Sequence, residues 1–177
     1  MGAATIAEAL QRVTSVLSRR PETGLHDDAA ATAHWQSGTR VIARHANGRE
    51  MPTDMPGEFG GTGDQVSPGW LFRAGVASCA VTSIAMLAAS EGIALDLLEA
   101  RVDSKTDSRG MLGMTDADGT RVSAAPSNLQ LKVRIGAKGV TAERLRALVK
   151  SGCGRSPIPS AVETALPLAL HVSVIDS

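Results

Sequence analysis

Two cysteines, Cys79 and Cys153, are the side chains of this sequence with the most distinctive chemistry. A thiol is a nucleophile only as its thiolate, which is a minor species near neutrality unless a cation or a helix N-terminus stabilises it. Cys79 lies in an apolar run from Leu71 to Ala89. Ser67-Pro68 before the run supplies an N-cap and a first-turn proline, and Gly92 marks a stop, so the spacing predicts one long helix. That places Cys79 several turns from its own helix N-terminus, where the dipole helps little. Arg73, six residues earlier, is turned roughly 240° around the same helix and points away from the thiol. Cys153 lies between Gly152 and Gly154. Continued helix would put it one turn from Ser156, whereas a glycine-flanked loop would leave it flexible. The competing reading is two unreactive thiols, with Cys79 a small hydrophobe in a crowded helix. His26, His34, His45 and His171 share no metal-ligand spacing with each other or with the cysteines, so no metal site is expected.

The elements around these residues follow from pattern. Ile6, Leu10, Val13 and Leu17 recur at helical spacing and predict an amphipathic helix from about Thr5 to Arg19, ended before Pro21. Three β-prone runs follow, Thr32 to Trp35, Thr39 to His45 and Arg49 to Thr53, separated by Ser37-Gly38 and Asn47-Gly48. These read as a meander. The glycine-rich stretch Pro56 to Gly63 lacks the Lys and Ser/Thr of a phosphate loop and reads as a flexible connection. Beyond the long helix, Leu98 to Lys105 and Leu129 to Ile135 alternate as strands around a loop from Asp107 to Pro126. A helix runs from about Thr141 to Ser151, a short one starts at Pro157, and Leu168 to Ile175 is expected to close the chain as a strand. Helices and strands segregate, which argues α+β.

The 177 residues are 43% hydrophobic and 20% charged, enough for one domain with a real core, residues 1–24 forming an N-terminal helical extension. Lys plus Arg and Asp plus Glu balance at 18 each, so neither nucleic acid nor an anionic membrane surface is an expected partner. Two Trp, two Phe and no Tyr supply few stacking surfaces. Two cysteines do not make a secreted disulfide framework and read as cytosolic thiols. Glu8, Gln11 and Arg12 interrupt any signal-peptide core, which agrees with a cytoplasmic location. The long apolar run contains Arg73, Ser78, Thr82 and Ser83 and reads as a buried helix of a soluble protein rather than a membrane span.

The segment Ser67-Pro68-Gly69-Trp70-Leu71-Phe72-Arg73-Ala74-Gly75-Val76-Ala77-Ser78-Cys79 resembles the stretch that leads to the reactive cysteine of organic hydroperoxide resistance proteins. Glu91-Gly92-Ile93, Leu98-Glu99, Asp107 to Gly113, Ser156-Pro157 and Val162 through Leu168 are similar to later landmarks of OsmC-like chains. The resemblance to the OsmC/Ohr superfamily covers the chain from about Ala30 onward. It implies an OsmC-like fold, an antiparallel sheet wrapped around a long central helix in an intertwined homodimer. It also implies cytoplasmic thiol peroxidase chemistry in oxidative stress defence: Cys79 attacks a hydroperoxide at the dimer interface, and Cys153 is the candidate second thiol. Arg40, or Arg44 on the same strand face, would hold the thiolate. No cofactor is implied beyond an external dithiol reductant. Phe72, Val76 and Met86 would favour an organic peroxide with an apolar tail. Two positions depart from the pattern: Gly69 stands where peroxidase members commonly have glutamate, and Ser156 where the second cysteine usually stands. The alternative is a non-catalytic dimer that binds small molecules and keeps its cysteines unreactive.

Overall fold

The computed structural model describes residues 3–175. Helix α1 (Ala3–Arg19) is followed by a short 3₁₀ turn at Pro21–Gly24. Strands β1 (Ala31–Ser37), β2 (Arg40–His45) and β3 (Glu50–Thr53) form the antiparallel meander predicted by the two turn signals. Gly38 and Gly48 adopt φ of 53° and 84°, the left-handed region that these tight reversals require.

Helix α2 (Pro68–Ser90) has the ends predicted for it. The Ser67 hydroxyl accepts the Trp70 N–H at 3.2 Å. Gly92, at φ 68°, reverses the chain so that Ile93 N–H donates to the Ala88 carbonyl at 2.8 Å. Around α2 pack α1, β4 (Leu97–Lys105), α4 (Ala142–Cys153) and α5 (Pro157–Thr164). Ala80, Ile84 and Ala88 of α2 are buried together with Leu148 of α4. Strand β5 (Ser127–Gly136) pairs antiparallel with β4 as a separate two-stranded sheet. The β4–β5 connection also contains a single helical turn, α3 (Ser108–Met111), that periodicity could not reveal. Its start is capped by Asp107, whose carboxylate accepts the Arg109 N–H at 3.0 Å. Arg109 in turn pairs with Asp107 and Asp116, which closes the loop on itself.

The junction of α4 and α2 fixes where the second cysteine lies. A Cβ on Gly152 would stand 2.8 Å from Ile84 Cγ1 and 2.9 Å from Ile84 Cα, so the two helices approach this closely only because position 152 has no side chain. Helix α4 is regular through Cys153, and Gly154 keeps helical angles with its N–H directed to Lys150 and Gly152. Of the two conformations open to Gly152-Cys153-Gly154, the helical one is adopted.

One sequence expectation changes within a single chain. The strands form two antiparallel sheets, and residues 165–175, where the strand from Leu168 to Ile175 is expected, form none. Leu166, Leu168, Leu170, Val172 and Val174 alternate as a half-buried strand would, yet all are exposed. An alternating segment becomes a strand only when another edge satisfies its backbone hydrogen bonds, and no edge among the described residues does so. Strand β1 is exposed along its whole length, Trp35 included, and α2 leaves Phe72 and Met86 at the surface.

Overpacking at the α2–α4 contact is expected to be costly. Gly152→Ala should lower unfolding stability by about 1–3 kcal/mol relative to Gly154→Ala, whose added methyl meets only ordinary contacts, when both are measured by chemical denaturation.

Candidate active site around Cys79

Cys79 is half-buried on α2 and is a free thiol, as is Cys153. Its sulfur accepts a hydrogen bond from the Ser156 hydroxyl at 3.1 Å. Ser156 is fully buried and occupies the N-cap position of α5, but its side chain makes no capping bond, so the hydroxyl is available to the sulfur. Its backbone is anchored at both ends: its N–H donates to the Cys153 carbonyl, and its carbonyl accepts from Ser160, each at 3.0 Å. The sulfur therefore meets a neutral donor and the positive end of α5. Sequence reasoning considered only the dipole of the helix that carries Cys79. The neighbouring helix that supplies one lies 77 residues away in the chain.

Cys153 ends α4. Burial first, and then the negative charge of Glu163, push its thiol above the ordinary cysteine range, so it is held protonated. It lines a cavity of about 510 Å³ with Val76, Leu129, Leu131, Pro159 and Val162. Val76 is one helical turn before Cys79, so this largely apolar space adjoins the face of α2 that carries Cys79. Of the apolar residues named from sequence, Val76 lines the cavity, whereas Phe72 and Met86 face outward on α2.

Arg40 opens β2, and its Nη2 donates to Asp54 at 3.0 Å, to Thr62 Oγ1 at 2.8 Å and to Asp64. Asp54 is itself buried and accepts from the Thr39 hydroxyl at 2.5 Å, the Thr62 N–H at 3.1 Å, the Thr62 hydroxyl at 2.8 Å and the Met55 N–H at 2.8 Å. The Thr39 hydroxyl above all, and then the Thr62 N–H and hydroxyl, hold this carboxyl well below the usual carboxylate range. Nε and Nη1 of Arg40 have no hydrogen-bond partner among the described residues and remain available as donors. The glycine-rich stretch after Asp54, expected to be a flexible connection, folds over this network. Gly61 lies so close to the Met55 carbonyl that a Cβ would overlap it, and Gly63 N–H donates to the same carbonyl at 3.2 Å. Asp54, Thr62 and Asp64 were not legible as site residues because nothing in their spacing indicates which cation they hold.

Arg44 pairs with Glu50 across the β2–β3 hairpin at 2.6 Å, both half-exposed. This is the arrangement of a solvent-facing strand arginine. Arg73 points its Nη1 to Ser104 at 3.4 Å, away from Cys79 as its helical offset requires. A Cβ on Gly69 would lie 3.7 Å from that same Nη1, so a side chain could be accommodated there. Among the described residues no group of three His, Cys, Asp or Glu side chains is placed to hold a metal ion.

The family described as OsmC-like protein matches residues 61–171, which include α2, β4, β5, α4 and α5. The fold is similar to that of an OsmC-like protein from Mycoplasma pneumoniae, with 14% identity, TM-score 0.64, and 78% of this chain and 89% of that one covered. It is also similar to an organic hydroperoxide resistance protein OsmC from Legionella pneumophila, with 23% identity, TM-score 0.53 and coverage of 78% and 90%. A third structure, an organic hydroperoxide resistance protein from Elizabethkingia anophelis with bound thiocyanate, is 21% identical, with TM-score 0.54 and coverage of 78% and 89%. No curated protein matches the chain by sequence.

The Asp54 network has a pH signature. A carboxyl whose proton affinity falls on folding adds stability above the ordinary carboxylate range and loses it as pH drops below about 4. The difference in denaturation midpoint between the wild type and Asp54→Asn is therefore expected to be full at pH 7 and to shrink steadily below about pH 4. A difference independent of pH would contradict the assignment.

Proposed function

Since this chain belongs to the OsmC-like protein family, we propose that it is a thiol-dependent peroxidase that reduces organic hydroperoxides at Cys79 in oxidative stress defence. The observation that carries the reading is the buried Ser156 hydroxyl donating to the Cys79 sulfur at the start of α5. A thiolate held there attacks the distal oxygen of a hydroperoxide. The O–O bond breaks, the alcohol leaves with a proton, and the sulfur is oxidised to a sulfenic acid. The apolar cavity next to Val76 suits a hydrocarbon-bearing peroxide better than hydrogen peroxide.

The working form in this reading is a homodimer. Helix α2 is apolar on nearly all sides, yet only 28% of its most apolar window is buried by its own chain. The exposed β1 and the alternating segment 165–175 likewise have unsatisfied faces, so a second copy is the natural cover for all three. The packing of β1–β3 is mainly among those strands, so Arg40 would serve Cys79 of the partner subunit, oriented by Asp54, Thr62 and Asp64 through Nη2 and donating through Nη1 or Nε. A cytoplasmic location and an external thiol reductant complete the proposal.

A second reading is a non-catalytic dimer that binds a small molecule. Glycine at position 69 and the double carboxylate pairing of Arg40 favour it, because a cation already neutralised twice attracts a thiolate less.

Turnover of cumene hydroperoxide separates the two. Cys79→Ser is expected to abolish consumption, and Ser156→Ala, losing one donor to a charged sulfur, to slow it about 10- to 100-fold. A folded wild-type protein with no consumption would leave the binding reading. Light scattering is expected to give a mass of two 18.3 kDa chains.

A further inference from the structure

We propose that the sulfenic acid formed on Cys79 is captured by an external low-molecular-weight monothiol rather than by Cys153, so that the protein turns over with one redox cysteine. The inference rests on the peroxidase reading above and names its reductant class.

Three features converge on it. The group delivered to the Cys79 sulfur by the α4–α5 junction is the hydroxyl of Ser156, which cannot form a disulfide. Ser156 is completely buried and anchored through its N–H and its carbonyl, so it does not readily clear a path for a second sulfur. Cys153 sits one residue before that junction turns, on a helix that is regular to its last residue and locked against α2 by the Gly152–Ile84 contact. The freedom a glycine-flanked loop would have given it is absent. Its sulfur belongs to the wall of the apolar cavity, beside Glu163. Attack on a sulfenic sulfur requires a thiolate, and burial together with that carboxylate disfavours one at Cys153. A second copy covers much of α2, so a small thiol would reach Cys79 by the same cavity beside Val76 that admits the peroxide.

The cycle balances with this co-reactant. Hydroperoxide takes two electrons from the Cys79 thiolate and leaves as alcohol, and the sulfur keeps one oxygen. A first monothiol attacks that sulfur, an S–S bond forms, the S–O bond breaks, and the oxygen departs as water. A second monothiol attacks the mixed disulfide, restores Cys79 and is released as the symmetric disulfide. In sum, one hydroperoxide and two thiols give one alcohol, one water and one disulfide.

Intact-mass spectrometry of the full chain tests this, with one equivalent of cumene hydroperoxide followed by 2-mercaptoethanol. The expected species are one added oxygen on Cys79, which dimedone traps in a separate aliquot, and, where dimedone is left out, one bound 2-mercaptoethanol. Cys153→Ser is expected to gain the same oxygen and then the same single bound 2-mercaptoethanol as the wild type, whatever the altered cavity wall does to its rate. Ser156→Cys is expected to lose two hydrogens on oxidation, because its sulfur would stand at the position now 3.1 Å from Cys79. The proposal is overturned if the wild type itself loses two hydrogens and Cys153→Ser does not. It is also overturned if Ser156→Cys forms no internal disulfide. If Cys79 never gains an oxygen, the peroxidase reading fails and this inference with it, an outcome distinct from oxygen gained and then passed to Cys153.

Discussion

Helix α2 imposes the constraint from which the rest of the architecture follows. Twenty-three residues with almost no polar face must be enclosed, because apolar surface left in water costs roughly 25 cal/mol per Å². Its own chain supplies α1, α4, α5 and β4 around part of its circumference and stops there. One close approach depends on a small residue of the covering helix, where Gly152 of α4 lies against Ile84 of α2. Enclosure of α2 and placement of the Cys79 sulfur are thus one packing problem. The helix that covers Ile84 also ends where Ser156 must be to meet Cys79.

The electrostatics of that sulfur come from elements distant in sequence. Cys79 is too deep in α2 for its own helix dipole to matter, and Arg73 faces Ser104. The donor and the favourable helix end both belong to α5. A serine hydroxyl carries only a partial charge, but this one is fixed by its backbone and fully buried. A hydrogen bond is electrostatically stronger in such a low-dielectric setting than in water. Cys153, a few residues away, experiences the opposite environment, with a carboxylate in place of a donor. Two chemically identical side chains therefore sit in contrasting surroundings within one junction.

The Arg40 network shows a different economy. An arginine on a short strand at the surface of a meander would ordinarily be mobile, and surface ion pairs alone hold such side chains weakly. Here the acceptor Asp54 is buried and itself fixed by four donors, so the guanidinium is oriented through one nitrogen while the other two stay open. The glycine-rich turn exists to let the chain fold tightly over that carboxylate, which explains its composition without any phosphate.

What the sequence alone determined was local: the ends of α2 from Ser67-Pro68 and Gly92, the two hairpin turns at Gly38 and Gly48, the strand periods, and the order of landmarks that identifies the family, because each depends on neighbours within a few residues. Tertiary structure alone decided that the Ser156 hydroxyl donates to Cys79 while Cys153 lines a cavity, that Asp54 holds Arg40, that Arg44 is a surface pair, and that residues 166–174 stay unpaired within one chain. Those outcomes depend on groups brought together across tens of residues, where a one-residue shift along α4 or α5 turns a side chain by about 100° and changes what it meets.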